Sequence, residues 1–148
     1  FQMPEDSIYL ACASRAPLAE ETRRVGIAAV ELKMKPWNMG NDGVEERVRA
    51  LFAKLVNGTP HDVALTPSTS FALTTAAQAV KTRMQPGDVG IILSGQMSSN
   101  TYPWQHLQAT SGLMLEALPY PENGDWTSSL LRRLHALDEA GRRVAVVA

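Results

Sequence analysis

The chain of 148 residues predicts a layered α/β fold, a mostly parallel sheet with flanking helices. Three observations carry that prediction. Short continuous apolar runs, typical of strands covered on both faces, recur at Val63-Ala64-Leu65, Val89–Leu93, Leu113–Leu118 and Val144–Ala148. Stretches with apolar residues at helical spacing alternate with them. Turn formers such as Asn57-Gly58, Pro86-Gly87-Asp88 and Gly141 separate the two kinds of segment.

Taken in order, Ile8-Tyr9-Leu10 reads as a short strand-like stretch, and Pro17 precedes a helix over Leu18–Lys33. Leu18, Thr22, Val25, Ala29 and Leu32 share one face of that helix, and Pro36 stops it. A turn-rich loop over Trp37–Gly43 follows. The Val44–Val56 segment is the clearest helix, ended at Asn57-Gly58 by a left-handed cap. The strand Val63-Ala64-Leu65 leads to an alanine-rich helix over Phe71–Met84. After the turn at Pro86-Gly87-Asp88 come the strand Val89–Leu93, a short helix over Trp104–Ala109 and the strand Leu113–Leu118. Asp125 caps a helix over Trp126–Ala140, Gly141 ends it, and Val144–Ala148 is the last strand. We divide the chain into an N-terminal arm and helix, residues 1–43, and the beginning of a larger domain, residues 44–148.

Apolar residues make up 45% of the chain and charged residues 20%, the balance of a globular protein and not of a disordered one. A net charge of −1 offers no footprint for nucleic acid or an anionic membrane surface. No apolar run approaches the roughly 20 residues that cross a bilayer. Phe1-Gln2 ahead of Met3 reads as a tag remnant, and the start has no signal-peptide pattern. A single cysteine, Cys12, fits a packed side chain in a reducing compartment, so a cytoplasmic location is expected. His61, His106 and His135 are scattered, and without paired spacing they make no zinc site. The chain stops inside an apolar strand, whose C-terminal end is where open α/β sheets put their ligand chemistry. It is therefore expected to be incomplete.

Two segments are candidates for chemistry. Thr66-Pro67-Ser68-Thr69-Ser70 runs into the helix at Phe71; such a helix N-terminus with hydroxyl neighbours can hold a phosphate, but on these residues alone an ordinary cap is the favoured reading. The loop Ser94–Trp104 leaves the second buried strand, Val89–Leu93, at the same expected edge of the sheet. Read locally, it is a plain connection with Trp104 anchoring the next helix.

Together these segments resemble the class V aminotransferase superfamily of pyridoxal-phosphate (PLP) enzymes, which includes cysteine desulfurases, isopenicillin N epimerase and kynureninase. The likeness runs through Ile8–Ser14 with Pro17-Leu18, Asp62–Thr69, Pro86-Gly87-Asp88, and Gln96-Met97-Ser98-Ser99-Asn100 with Pro103-Trp104. The Ser-Asn-x-x-Pro-Trp run is its most specific part. The resemblance implies the large domain of PLP-transferase fold type I, present in part and preceded by an N-terminal arm. It implies that Ser68 and Thr69 hold the cofactor phosphate, that Met97 lies where the family stacks a ring on the pyridine, and that Gln96 and Asn100 lie beside it. Met97 departs from the histidine of desulfurases, and Ala11-Cys12 depart from the family's polar pair. Lys33, Lys35, Lys54 and Lys81 all fall outside the position of the Schiff-base lysine, so no catalytic residue is expected within the chain. The resemblance further implies an amino-acid substrate, a homodimer, and completion by the rest of the same chain or a complementary one. The missing histidine favours an epimerase, lyase or aminotransferase-like reaction. Two alternatives stand beside it: an inactive remnant of the fold serving binding or assembly, and an unrelated phosphate-binding α/β domain using Ser68–Ser70.

Overall fold

The computed structural model describes residues 5–40 and 43–148. The tag-like Phe1-Gln2, the start at Met3, and Asn41-Asp42 of the turn-rich loop lie outside the described residues. The described residues divide into two compact units, one up to Val63 and one from Ala64 to Ala148.

The first unit holds two helices, α1 (Glu20–Leu32) and α2 (Val44–Leu55). Short 3-10 turns lie at Pro36–Asn38 and Pro60–Asp62. Ile8-Tyr9-Leu10 is not a strand: among the described residues it pairs with no other strand, and Ile8 and Leu10 are exposed. A strand exists only through its ladder, and this segment has no neighbouring backbone to bond. The end of α2 follows the sequence closely. Asn57 takes the left-handed conformation (φ 54°), and the Gly58 N–H returns to the Ala53 carbonyl at 2.9 Å. Arg49 bonds the Val63 and Pro60 carbonyls at 2.8 and 2.7 Å, tying α2 to the segment that follows it.

The second unit is the layered α/β body. Its elements are α3 (Thr69–Lys81), β1 (Val89–Leu93), α4 (Ser98–Ser111), β2 (Met114–Leu118), α5 (Trp126–Glu139) and β3 (Val144–Val147). The strands form a parallel sheet in the order β2-β1-β3. Val63-Ala64-Leu65, expected as a buried strand, joins no ladder, and Leu65 is half exposed. Its apolar run is strand-like in composition, but the segment pairs with neither edge strand, β2 or β3.

Side chains of β1 alternate between two cores, as the period of a strand requires. Val89, Ile91 and Leu93 pack with Trp126, Leu130, Leu134 and Leu137 of α5. Ile92 packs on the opposite face with Ala77 of α3 and with Trp104 and Leu107 of α4. Burying side chains such as Trp104, Ile91 and Leu107 contributes about 1.5–3 kcal/mol each. A bulge in β3 opposite Val89 and Gly90 breaks the alternation, so Ala145 and Val146 both join the α3/α4 core. Gly90 sits on that same crowded face. A Cβ there would lie 3.0 Å from Leu113 and 3.3 Å from Leu115 and Val146.

The turn before β1 forms as expected. Pro86 and Gly87 (φ 93°) occupy its corner, and the Asp88 N–H bonds the Gln85 carbonyl at 3.0 Å. The buried Asp88 carboxylate accepts from the Gln85 N–H at 2.8 Å. The helix expected to start at Trp104 instead starts at Ser98, and Pro103 lies inside it. A helix-interior proline is costly, which is why the sequence places the boundary after it. Here the cost is offset by burying Trp104 and Leu107, which lie about one turn apart on the same face of the helix.

Candidate functional site

The site is built at the C-terminal edge of the sheet, where parallel α/β folds gather their loops. The N-terminus of α3 lies at this edge because its C-terminal end leads through the turn at Gly87 to the start of β1. The N-terminus of α4 lies there too, because α4 follows the end of β1 directly. The two helices therefore run side by side in the same direction. Their positive dipole ends are neighbours, and neither first turn carries an acidic side chain to neutralise them.

Ser68 is the N-cap of α3. Its Oγ accepts from the Phe71 N–H at 3.2 Å, and its carbonyl accepts from the Ala72 N–H at 3.1 Å. That leaves the Thr69 and Ser70 N–H groups as the open donors of the first turn, among the described residues. Ser68 is thus a cap, and its cap geometry is also what aims those open donors outward. The two readings of this turn, cap and anion site, are compatible.

Met97 is the N-cap of α4 and is exposed, with its side chain outside both cores. Its carbonyl accepts from Asn100 N–H at 2.9 Å and Thr101 N–H at 3.1 Å. Gln96 precedes it in the exposed loop. Asn100 lies one turn into α4, half buried, and its Oδ1 accepts from the Trp104 indole N–H at 3.3 Å. Gly95 (φ 80°) allows the loop to turn sharply here. A Cβ at this position would stand 3.1 Å from the Tyr120 ring, so the loop after β1 is packed against the loop after β2. Tyr120 in turn meets Trp126 edge to face at 5.0 Å.

A groove of about 290 Å³ lies between α3 and α4, lined by Ser70, Thr74 and Gln78 on one side and Ser99, Tyr102 and His106 on the other. The match of Ser70 with Ser99 at one end and Gln78 with His106 at the other reflects the parallel run of the two helices. This groove places Ser70 next to the start of α4, but Ser68, Thr69 and Met97 do not line it. Sequence reasoning missed Thr74, Gln78 and His106 and included Tyr102 only as part of the candidate loop. The signal was present as the 98-102-106 spacing, and it was hidden by ending the loop at Pro103.

Electrostatic shifts in the second unit stay close to helix ends. The Ser128 hydroxyl and N–H beside Asp125 hold its carboxyl below the ordinary aspartate range. The same arrangement appears in the first unit, where Thr59 lowers Asp62 through its backbone N–H and then its hydroxyl. Among the described residues, no helix is long and apolar enough to cross a membrane.

Comparison with known proteins adds a family to this geometry. A family model described as aminotransferase class-V matches residues 36–148. A cysteine desulfurase of Dickeya dadantii (strain 3937) is 34% identical over 103 residues, which cover 68% of this chain and 24% of that protein. A probable cysteine desulfurase of Pseudomonas aeruginosa is 30% identical over 89 residues, 60% of this chain and 22% of that protein. The chain thus spans about a quarter of the length of the curated relatives it matches.

Proposed function

The chain belongs to the class V aminotransferase family, whose members include PLP-dependent enzymes, and from that premise we propose that it carries the phosphate end of a PLP site acting on an amino acid. The observation that carries this reading is the pair of adjacent helix N-termini, α3 and α4, free of acidic residues at one sheet edge. A doubly anionic phosphate is the group such an edge suits, and open N–H donors with a hydroxyl-rich turn are the donors it needs. The residues present fit the cofactor's phosphate and one face of its ring.

In this reading Thr69 and Ser70 donate their N–H groups to the phosphate, and the Ser68 and Thr69 hydroxyls complete the cradle. Met97, exposed at the start of α4, lies against the ring, since a thioether packs well on an aromatic face. Gln96 and Asn100 flank it. PLP, when bound, supplies an electron sink that stabilises negative charge at the substrate's α-carbon. Met97 has no ionisable group, so it orients the ring and excludes water but moves no proton. That favours an epimerase, lyase or aminotransferase-like reaction over one needing a proton donor at this position. The lysine that anchors the cofactor and the carboxylate that pairs with its ring come from polypeptide beyond these 148 residues, with a second copy of the protein completing a dimer.

The test is cofactor titration in the natural protein that carries this sequence. Thr69→Ala should weaken PLP binding by about 1–2 kcal/mol, the scale of one hydrogen bond to a charged group, and leave folding intact because Ser68 and not Thr69 makes the cap. Unchanged affinity overturns the phosphate assignment. A natural protein that binds no PLP and turns over no amino acid is instead the inactive remnant of the fold.

A further inference from the structure

The Ser-Asn-x-x-Pro-Trp run, which the sequence marks as specific, has a structural logic that the phosphate site does not use. Trp104 is almost fully buried, 2% exposed, and its indole N–H requires a partner inside the protein. It finds one in Asn100 Oδ1, 3.3 Å away and one turn earlier on the same helix face. Between them stands Pro103, which has no N–H to return to the Ser99 carbonyl. The first turn of α4 therefore has one fewer backbone tie to the rest of the helix. The side-chain bond between Asn100 and Trp104 spans the gap.

This bond also decides which way round the Asn100 carboxamide sits. With Oδ1 accepting from the indole, the other end of the amide is its NH2, which can only donate. A freely rotating asparagine offers a ligand either end. One fastened by Trp104 holds its oxygen toward the indole and turns its NH2 end the other way. Its neighbours in the same turn are Met97, which caps the helix, and Ser98 and Ser99, whose N–H groups open at the helix start.

We propose that Trp104 is a positioning residue, which fixes Asn100 so that its Nδ2 donates to a polar acceptor of the bound cofactor. Resting on the PLP reading above, the claim adds a residue that never touches the cofactor. Pro103 makes the arrangement necessary, since it loosens the turn that Trp104 then secures.

The experiment is a double-mutant cycle in the natural protein, read by PLP affinity from absorbance titration and by thermal unfolding of the cofactor-free form. Trp104→Phe keeps most of the ring and removes the N–H. It should weaken PLP binding roughly fivefold, the effect of one hydrogen bond, while in an Asn100→Ala background the same change should alter binding by less than about twofold. Equal losses in both backgrounds would show that Trp104 acts through packing alone and overturn the proposal. If Trp104→Phe does not fold, Asn100→Asp decides the matter. It keeps an acceptor for the indole but loses the donating end, so PLP affinity should fall about tenfold or more with the unfolding temperature preserved. Unchanged affinity overturns the proposal. Wild-type protein that binds no PLP overturns the cofactor reading itself, an outcome distinct from additive losses in a protein that binds it.

Discussion

The two units of this chain use similar amounts of apolar sequence in different ways. In residues 64–148 the apolar residues converge: Val89, Ile91, Leu107, Leu113 and Leu137 are all buried, and each face of β1 meets a helix. In residues 1–63 the helices form with equal regularity, yet among the described residues only Ala53 is buried. Val48, Leu51, Phe52 and Leu55 make an apolar stripe along α2 and remain exposed. The helix ends differ in the same sense. The N-caps of α1 and α2, Ala19 and Gly43, offer no side-chain bond, whereas in the second unit Ser68 and Asp125 cap α3 and α5 and only Met97 of α4 does not. Amphipathic spacing makes a helix, and a sheet turns helices into a core.

Core truncation is the strongest way to break this contrast. Leu107→Ala removes a fully buried side chain from the core between α4 and the sheet. It should cost about 2–5 kcal/mol in urea unfolding. A loss below 1 kcal/mol, on the order of an exposed site, would mean the second unit is not the cooperative body described here.

The matching change in the first unit, Leu51→Ser on the half-exposed stripe of α2, should stay within about 0.5 kcal/mol for these 148 residues. A far larger loss in the natural protein would sharpen the contrast, because it would show the stripe to be covered there by other polypeptide. Equal small effects in both would mean the stripe is a solvated face.

The smallest expected effect is acid sensitivity at the α5 cap. The Ser128 hydroxyl and N–H hold the Asp125 carboxyl below its ordinary range. A carboxyl with a lowered folded pKa binds protons more readily when unfolded. Its contribution is complete above the ordinary aspartate pKa and is lost as pH falls through the folded value. Asp125→Asn, which still caps but does not titrate, should therefore flatten the stability profile only in that acidic window. An unchanged profile between wild type and variant would show that the cap carries no pH dependence.

Much of the fold was legible because it is locally specified. The stripe of α2, the Asn57-Gly58 stop, the Pro86-Gly87 corner, the Asp125 cap and the three apolar strands each announce themselves within a few residues. The errors fall where a segment depends on distant backbone. Ile8-Tyr9-Leu10 and Val63-Ala64-Leu65 have strand composition, but hydrogen-bonded pairing is not a local property. The early start of α4 was hidden by Pro103, whose local penalty is outweighed only by the burial of Trp104 and Leu107. The candidate site divides along the same line. Ser68 and Thr69 stand out as hydroxyls before a helix, and Met97 and Asn100 through a recognisable run, whereas Thr74 and Gln78 carry no motif and His106 is marked only by its helical spacing from Tyr102.

The sequence by itself determined the class of fold, the stop of α2, the cap of α5 and the three runs that became strands, because spacing, caps and turn residues act over one or two turns of chain. Tertiary structure decided which strands pair, which helix faces are covered, and that the N-termini of α3 and α4 open side by side. Those outcomes depend on backbone hydrogen bonds and packing between residues far apart in sequence. The bond from Trp104 to Asn100 lies between the two: its spacing is written in the chain, but only the burial of Trp104 in the core makes that indole need a partner.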